Sequence, residues 1–164
     1  MALKISVIGT GYLGATHAAC MANLGFETIG IDTDATKIEL LKTGQLPFYE
    51  PGLPELLKGE VDSRRLNFST DISGVKDCDI HFLCVGTPQK KDGLAADLTY
   101  VDAAVEAIAP HLKPGALLVG KSTVPVGTAQ RLKEKLSKLA PEAELAWNPE
   151  FLREGFAVED LSLI

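Results

Sequence analysis

Apolar residues gather along the chain in short runs divided by polar, glycine-bearing or proline-bearing stretches, and their spacing predicts the elements. Residues 3–8 (Leu-Lys-Ile-Ser-Val-Ile) read as a strand that stops at Gly9. The alanine-rich stretch 12–24 reads as a helix closed by Gly25. Residues 26–31 form a second strand ending at Asp32, and Asp34 is placed to cap a helix over 35–42. Gly44, Pro47, Pro51, Gly52 and Pro54 break up residues 43–65 and leave room for a short helix over 53–58. A short strand holds Phe68, and Thr70-Asp71 caps a turn near 72–76. Residues 79–85 form a stronger strand, stopped by Gly86-Thr87-Pro88 and followed by a polar loop over 89–98. Val101, Val105 and Ile108 mark one face of a helix over 99–109. Residues 116–120 are another strand. Leu132, Leu136 and Leu139 run along a helix over 128–139, with Thr128 as its expected N-cap, and the last strand lies near 145–147.

Strands thus alternate with helices, and the strand runs are nearly all apolar, as buried parallel strands are. The pattern predicts an α/β domain, Rossmann-like and doubly wound, with a mostly parallel sheet and helices on both faces. No repeat or linker divides it, and 164 residues suit one domain over 1–164.

Composition trims the function classes. The chain carries 16 basic and 22 acidic residues, a net charge of −6. Such a surface has no general attraction for nucleic acid or for an anionic membrane. No apolar run reaches transmembrane length. Cys20, Cys78 and Cys84 form no Cys-x-x-Cys pair, which points to a reducing, cytoplasmic setting without a disulfide framework. His17, His81 and His111 have no metal-ligand spacing, so no metal site is expected.

The first turn carries the chemistry. Gly9-Thr10-Gly11-Tyr12-Leu13-Gly14 is a G-x-G-x-x-G sequence between a strand and a helix. Gly9 makes the turn, Gly11 lets backbone approach a pyrophosphate, and Gly14 lets the helix sit close to the sheet. The helix N-terminus then holds the anion. Asp32, about 20 residues on, is placed for the adenosine ribose and would repel a 2′-phosphate, which favours NAD over NADP. Lys37 softens that preference. A glycine turn without cofactor and an FAD-binding version remain open on the residues alone.

Three polar clusters follow strand ends, where ligands of doubly wound sheets bind. The first is Cys84 to Pro88, in which Gly86 and Thr87 can pass beside a cofactor and Cys84 reads as structural. The second is Ser122 to Thr128, with Thr123 able to hydrogen-bond a nicotinamide or a substrate oxygen. The third is Asn148 to Gly155. There Glu150 and Glu154 are four apart and would share a face of one helical turn, one as base and the other holding a ligand. The plainer alternative is that Arg153 pairs with a carboxylate at a domain edge.

Taken in order, Gly9–Gly14, Asp32, residues 44–53, Cys84–Pro88, Ser122–Thr128 and Asn148–Gly155 resemble the N-terminal domain of the UDP-glucose/GDP-mannose dehydrogenase family. The resemblance covers nearly the whole chain, and it is nearest to members that oxidise UDP-glucose to UDP-glucuronate. It implies four-electron oxidation of a sugar-nucleotide alcohol to an acid with two NAD, through an aldehyde and a cysteine thioester. It further implies NAD contacts from Leu13, Asp32, Lys37, Thr87, Thr123 and Glu154. Thr123 would help place a catalytic water, and Glu150 would support thioester hydrolysis. Glu150, Phe151, Leu152, Arg153 and Glu154 would border the sugar nucleotide. Leu13 stands where valine is commoner. The family's nucleophilic cysteine lies in a glycine-rich block that Cys20, Cys78 and Cys84 do not match. The resemblance therefore implies that residues 1–164 are the NAD-binding part of a longer, homodimeric enzyme, inactive alone, whose central helix and substrate domain lie elsewhere. GDP-mannose or a UDP-N-acetylhexosamine as substrate, and an NAD-sensing module without turnover, are the alternatives.

Overall fold

The computed structural model describes residues 3–162. Its frame is a six-stranded sheet, with every neighbouring pair parallel, in the order β3-β2-β1-β4-β5-β6. The strands are β1 Lys4–Ile8, β2 Glu27–Ile31, β3 Leu66–Ser69, β4 Ile80–Leu83, β5 Leu117–Gly120 and β6 Glu144–Trp147. From β1 the chain winds outward to β3, then returns past β1 to build β4, β5 and β6. This reversal makes a doubly wound sheet with a crevice between β1 and β4.

Helices α1 Tyr12–Asn23, α2 Ala35–Lys42, α3 Leu53–Asp62, α4 Thr99–Ile108, α5 Thr128–Leu139 and α6 Ala157–Ser162 complete the layers. Two cores lie against the sheet. Ile5 and Val7 of β1 pack with Ala15, Ala18, Ala19, Ile38, Leu53 and Leu57. Ile8 packs with Leu83, Val101, Val105, Ile108, Leu132 and Leu136 in the other. Alternate residues of one strand thus feed opposite faces, which is why β1 reads as a continuous apolar run.

The sequence pattern places each strand to within about two residues. It is short on α3, which continues to Asp62 because Leu57 and Val61 extend its apolar side past residue 58. Gly127, at φ 88°, and not Thr128, caps α5; Thr128 is the first helical residue and its side chain makes no cap. Residues 148–153 adopt no regular secondary structure, with Pro149 disfavouring helix at the residue before it, and the chain becomes helical only at α6. Glu150 and Glu154 therefore do not share a helical face. Leu139, expected with Leu132 and Leu136, is half exposed at the end of α5.

Candidate functional site: the C-terminal edge of the sheet

Parallel strands deliver their C-terminal ends to one edge, so Gly9, Asp32, Cys84, Lys121 and Asn148 all emerge there. The glycine turn is built by close approach. Gly9 adopts φ 88°, and a Cβ there would lie 3.0 Å from the Cys84 carbonyl group. A Cβ on Gly14 would lie 1.8 Å from the Gly9 carbonyl oxygen, so the helix packs on the turn only with glycine present. Gly11 is the N-cap of α1 and carries no side chain to satisfy the first amides. The first intrahelical bond runs from the Ala15 N–H to the Gly11 carbonyl. The amides of Tyr12, Leu13 and Gly14 are left at an open, positively polarised helix end with no acidic side chain in the first turn. Nothing lies within 4 Å of where a Cβ of Gly11 would stand. Such a helix end can hold an anionic group such as a pyrophosphate against its free amides.

Asp32 stands at the end of β2. Its Oδ2 accepts from the Thr10 N–H at 2.8 Å, the Thr10 hydroxyl at 3.0 Å and Lys37 Nζ at 2.9 Å. Its Oδ1 accepts from the Asp34 N–H at 3.0 Å. Burial alone would raise its pKa, but these donors outweigh it and hold the carboxyl below the usual aspartate range. Asp32 is thus a fixed anion whose Oδ1 accepts from a single backbone N–H and can take a further donor. Lys37 is pinned to it rather than free. An open groove of about 500 Å³ runs along α2 past Lys37, Leu40, Gln45 and Pro47; it adjoins this ion pair but contains none of Thr87, Thr123 or Glu150.

Across the crevice, the ends of β4 and β5 are stitched together. The Ser122 hydroxyl donates to the Val85 carbonyl at 2.5 Å, and the Thr87 hydroxyl donates to the Thr123 carbonyl at 2.9 Å. Thr87 and Thr123 are therefore brought together, and Thr123 keeps its own hydroxyl free of a protein partner among the described residues. The Trp147 indole N–H donates to the Ser122 carbonyl at 3.1 Å and ties β6 to the same segment.

Lys121 joins the site without any motif to announce it. It is 4% exposed, and its Nζ lies 3.0 Å from Asn148 Oδ1 and 3.1 Å from Glu150 Oε2. The Glu150 contact is electrostatic rather than a well-aligned hydrogen bond, for Oε2 is buried without one. Glu150 Oε1 accepts from the Phe151 N–H at 2.8 Å. Glu150 is thereby aimed and charge-balanced at the mouth of the site. A lysine directly after an apolar strand is the one sequence signal that could have revealed Lys121.

The remaining predicted residues are more open. Phe151 is 85% exposed, and Glu154 is also at the surface. Arg153 pairs with Asp160 through its backbone N–H, Nε and Nη2, and its guanidinium lies over the Phe156 ring. The alternative of a pairing at the domain edge therefore describes this side chain. Cys20, Cys78 and Cys84 are all buried, and burial pushes their thiols up to about 11, 11 and 12. None is a poised nucleophile. His17 and His81 are buried, the latter bonded to the Ser6 hydroxyl at 2.7 Å. Among the described residues no cluster of histidine, cysteine or carboxylate side chains could hold a metal, and no helix is long and apolar enough to cross a membrane.

Residues 3–163 match the model of the UDP-glucose/GDP-mannose dehydrogenase family, NAD binding domain. The chain belongs to that family. It is an NAD-binding module, and its cofactor is NAD. Several relatives with different named activities resemble it to a similar degree. UDP-glucose 6-dehydrogenase TuaD of Bacillus subtilis is 47% identical over 161 residues, spanning 96% of this chain and 35% of that protein. A UDP-N-acetyl-D-mannosamine dehydrogenase of Methanococcus maripaludis is 38% identical over 96% of this chain and 36% of its own length. The crystal structure of GDP-mannose dehydrogenase from Pseudomonas aeruginosa, a ternary complex, superposes with a TM-score of 0.88 at 35% identity. It is covered over 38% of its length, and this chain over 96%. The chain thus spans little more than a third of each of these three relatives.

Proposed function

We propose that this domain binds NAD for a UDP-glucose 6-dehydrogenase, which oxidises UDP-glucose to UDP-glucuronate with two NAD. The observation that carries the reading is the meeting, at one sheet edge, of the dinucleotide cradle with the pair of buried Lys121 and half-buried Glu150 and the joined Thr87–Thr123 segment. A module for NAD binding alone has no need of a half-buried glutamate charge-balanced by a buried lysine at this edge. The higher identity to a UDP-glucose dehydrogenase than to a UDP-N-acetyl-D-mannosamine dehydrogenase supports the substrate.

In this reading the bound NAD supplies the two-electron acceptor. The amides at the start of α1 hold its pyrophosphate, and Asp32 accepts from its ribose. Thr87 and Thr123 line the nicotinamide side, and Thr123 offers a free hydroxyl to a water or substrate oxygen. Glu150, kept in place by Lys121 and the Phe151 amide, takes up a proton at its carboxylate during hydrolysis. Residues Glu150 to Glu154 border the sugar nucleotide. The nucleophilic cysteine is supplied from outside residues 1–164, since the three thiols here are buried.

Calorimetric titration of the chain with NAD and NADP tests the cofactor half, with binding of NAD and markedly weaker binding of NADP expected. Incubating the chain with NAD and UDP-glucose should yield no steady NADH. The enzyme containing this domain should yield it with UDP-glucose in preference to GDP-mannose or UDP-N-acetylhexosamines. A folded chain that ignores NAD, or an enzyme that prefers another sugar nucleotide, would refute the corresponding half.

A further inference from the structure

Glu50 lies in the irregular stretch between α2 and α3, where nothing in the spacing gives it a role. It is 1% exposed, yet it is fully engaged. Its Oε2 accepts from the Tyr12 hydroxyl at 2.5 Å and from the Gly155 N–H at 2.8 Å, and its Oε1 accepts from the Ala157 N–H at 2.8 Å. Burial would raise its pKa, but these donors outweigh it and hold the carboxyl below the usual glutamate range. The carboxylate is therefore a charged buried hub that joins two remote pieces of backbone. One is Tyr12, the first residue of α1 and part of the pyrophosphate cradle. The other is the Glu154–Gly155 turn, where Gly155 takes φ 86° and the chain enters α6.

A cap for α6 would need amides alone. The Tyr12 phenol is the additional partner, and its ring also packs on Phe48, 5.1 Å between centroids, in the same irregular stretch. Burial and the adjacent Glu50 push this phenol up to about 12, so it stays a hydrogen-bond donor. The first turn of α1 and the Glu154–Gly155 turn are thus joined through one buried side chain.

We propose that Glu50 is a positioning residue of the NAD site, holding the Glu154–Gly155 turn in register with the first turn of α1. This rests on the reading that Glu154 contacts the bound dinucleotide. Ordering of the α1 turn by NAD and ordering of the Glu154–Gly155 turn are then one event. Loss of the carboxylate uncouples them.

The test compares the wild-type chain with Glu50→Gln and Tyr12→Phe, at a temperature where circular dichroism shows all three folded. In Glu50→Gln an amide NH2 replaces one acceptor and faces an N–H donor. NAD affinity is expected to fall about tenfold in Glu50→Gln and about threefold in Tyr12→Phe, which keeps the ring. In the wild type, NAD should slow hydrogen exchange at the Gly155 and Ala157 amides; in both variants that slowing should disappear. Ile108→Val, in the core on the other face, serves as a variant that loses stability without touching the link. Its NAD affinity should match wild type. Wild-type affinity in folded Glu50→Gln and Tyr12→Phe, or NAD-dependent protection that survives in them, would overturn the proposal and leave the NAD reading intact. A wild-type chain that binds no NAD would overturn both.

Discussion

Asp32 and Lys121 are both charged groups at strand ends, but they reach that state by different means. Asp32 draws its donors from within a few residues and from the neighbouring Thr10, so its placement is legible from the spacing of the glycine turn. Lys121 is stabilised by Asn148 and Glu150, more than twenty residues away in sequence, and no local pattern marks it. The same holds for Glu50, whose amide partners lie over a hundred residues on. Replacing Asp32 with alanine should weaken NAD binding about tenfold, a loss of charge-assisted hydrogen bonds measurable by calorimetry. Lys37→Ala should reduce any residual NADP affinity more than NAD affinity, since Asp32 would lose its compensating cation. Lys121→Met leaves a partly buried carboxylate unpaired and should cost about 3 kcal/mol in chemical denaturation. Adding Glu150→Gln should return part of that loss, because the uncompensated charge is then removed.

At the scale of elements, the apolar periods locate all six strands, since most of them bury their apolar residues against the two cores, though β6 at the sheet edge buries none fully. They mislead for the segment after β6. Two glutamates four apart suggest a helical turn, but residues 148–153 are irregular, with Pro149 disfavouring helix and Lys121 holding Asn148 and Glu150. Long-range hydrogen bonding outweighs local spacing there. The contact between α1 and the glycine turn leaves the least room for change. Gly14→Ala would place a methyl group 1.8 Å from the Gly9 carbonyl oxygen. The helix must shift or tilt to accept it. Stability should fall by about 3 kcal/mol, at the upper end of overpacking losses, with NAD binding lost even where the chain still folds. Thermal melts with and without NAD would show both effects.

The whole molecule is held by two cores separated by a sheet that buries two histidines. Burial pushes His17 down to about 3 and His81 down to about 4, with the positive charges of Lys121 and Lys113 adding to the respective shifts. Both rings are therefore neutral in the fold, whereas the unfolded chain protonates them near 6.5. The unfolded state binds more protons below that pH, so stability is full above it and falls as the pH drops toward 4. Each histidine contributes about 1.4 kcal/mol per pH unit to this slope. Denaturation curves between pH 7 and 5 should show it, and His17→Leu should remove about half. Asp32 and Glu50, with lowered pKa values, extend the loss into more acid solution as they too become protonated.

Trp147 adds an optical consequence. It is the chain's one tryptophan, it lies against Gly120 where no side chain could fit, and its indole is bonded to the backbone that presents Thr123. Its emission therefore needs no label to report on the Thr123 side of the crevice. Anything that tightens or parts the ends of β5 and β6 changes the indole's hydrogen bond, and with it the colour of the protein's own fluorescence.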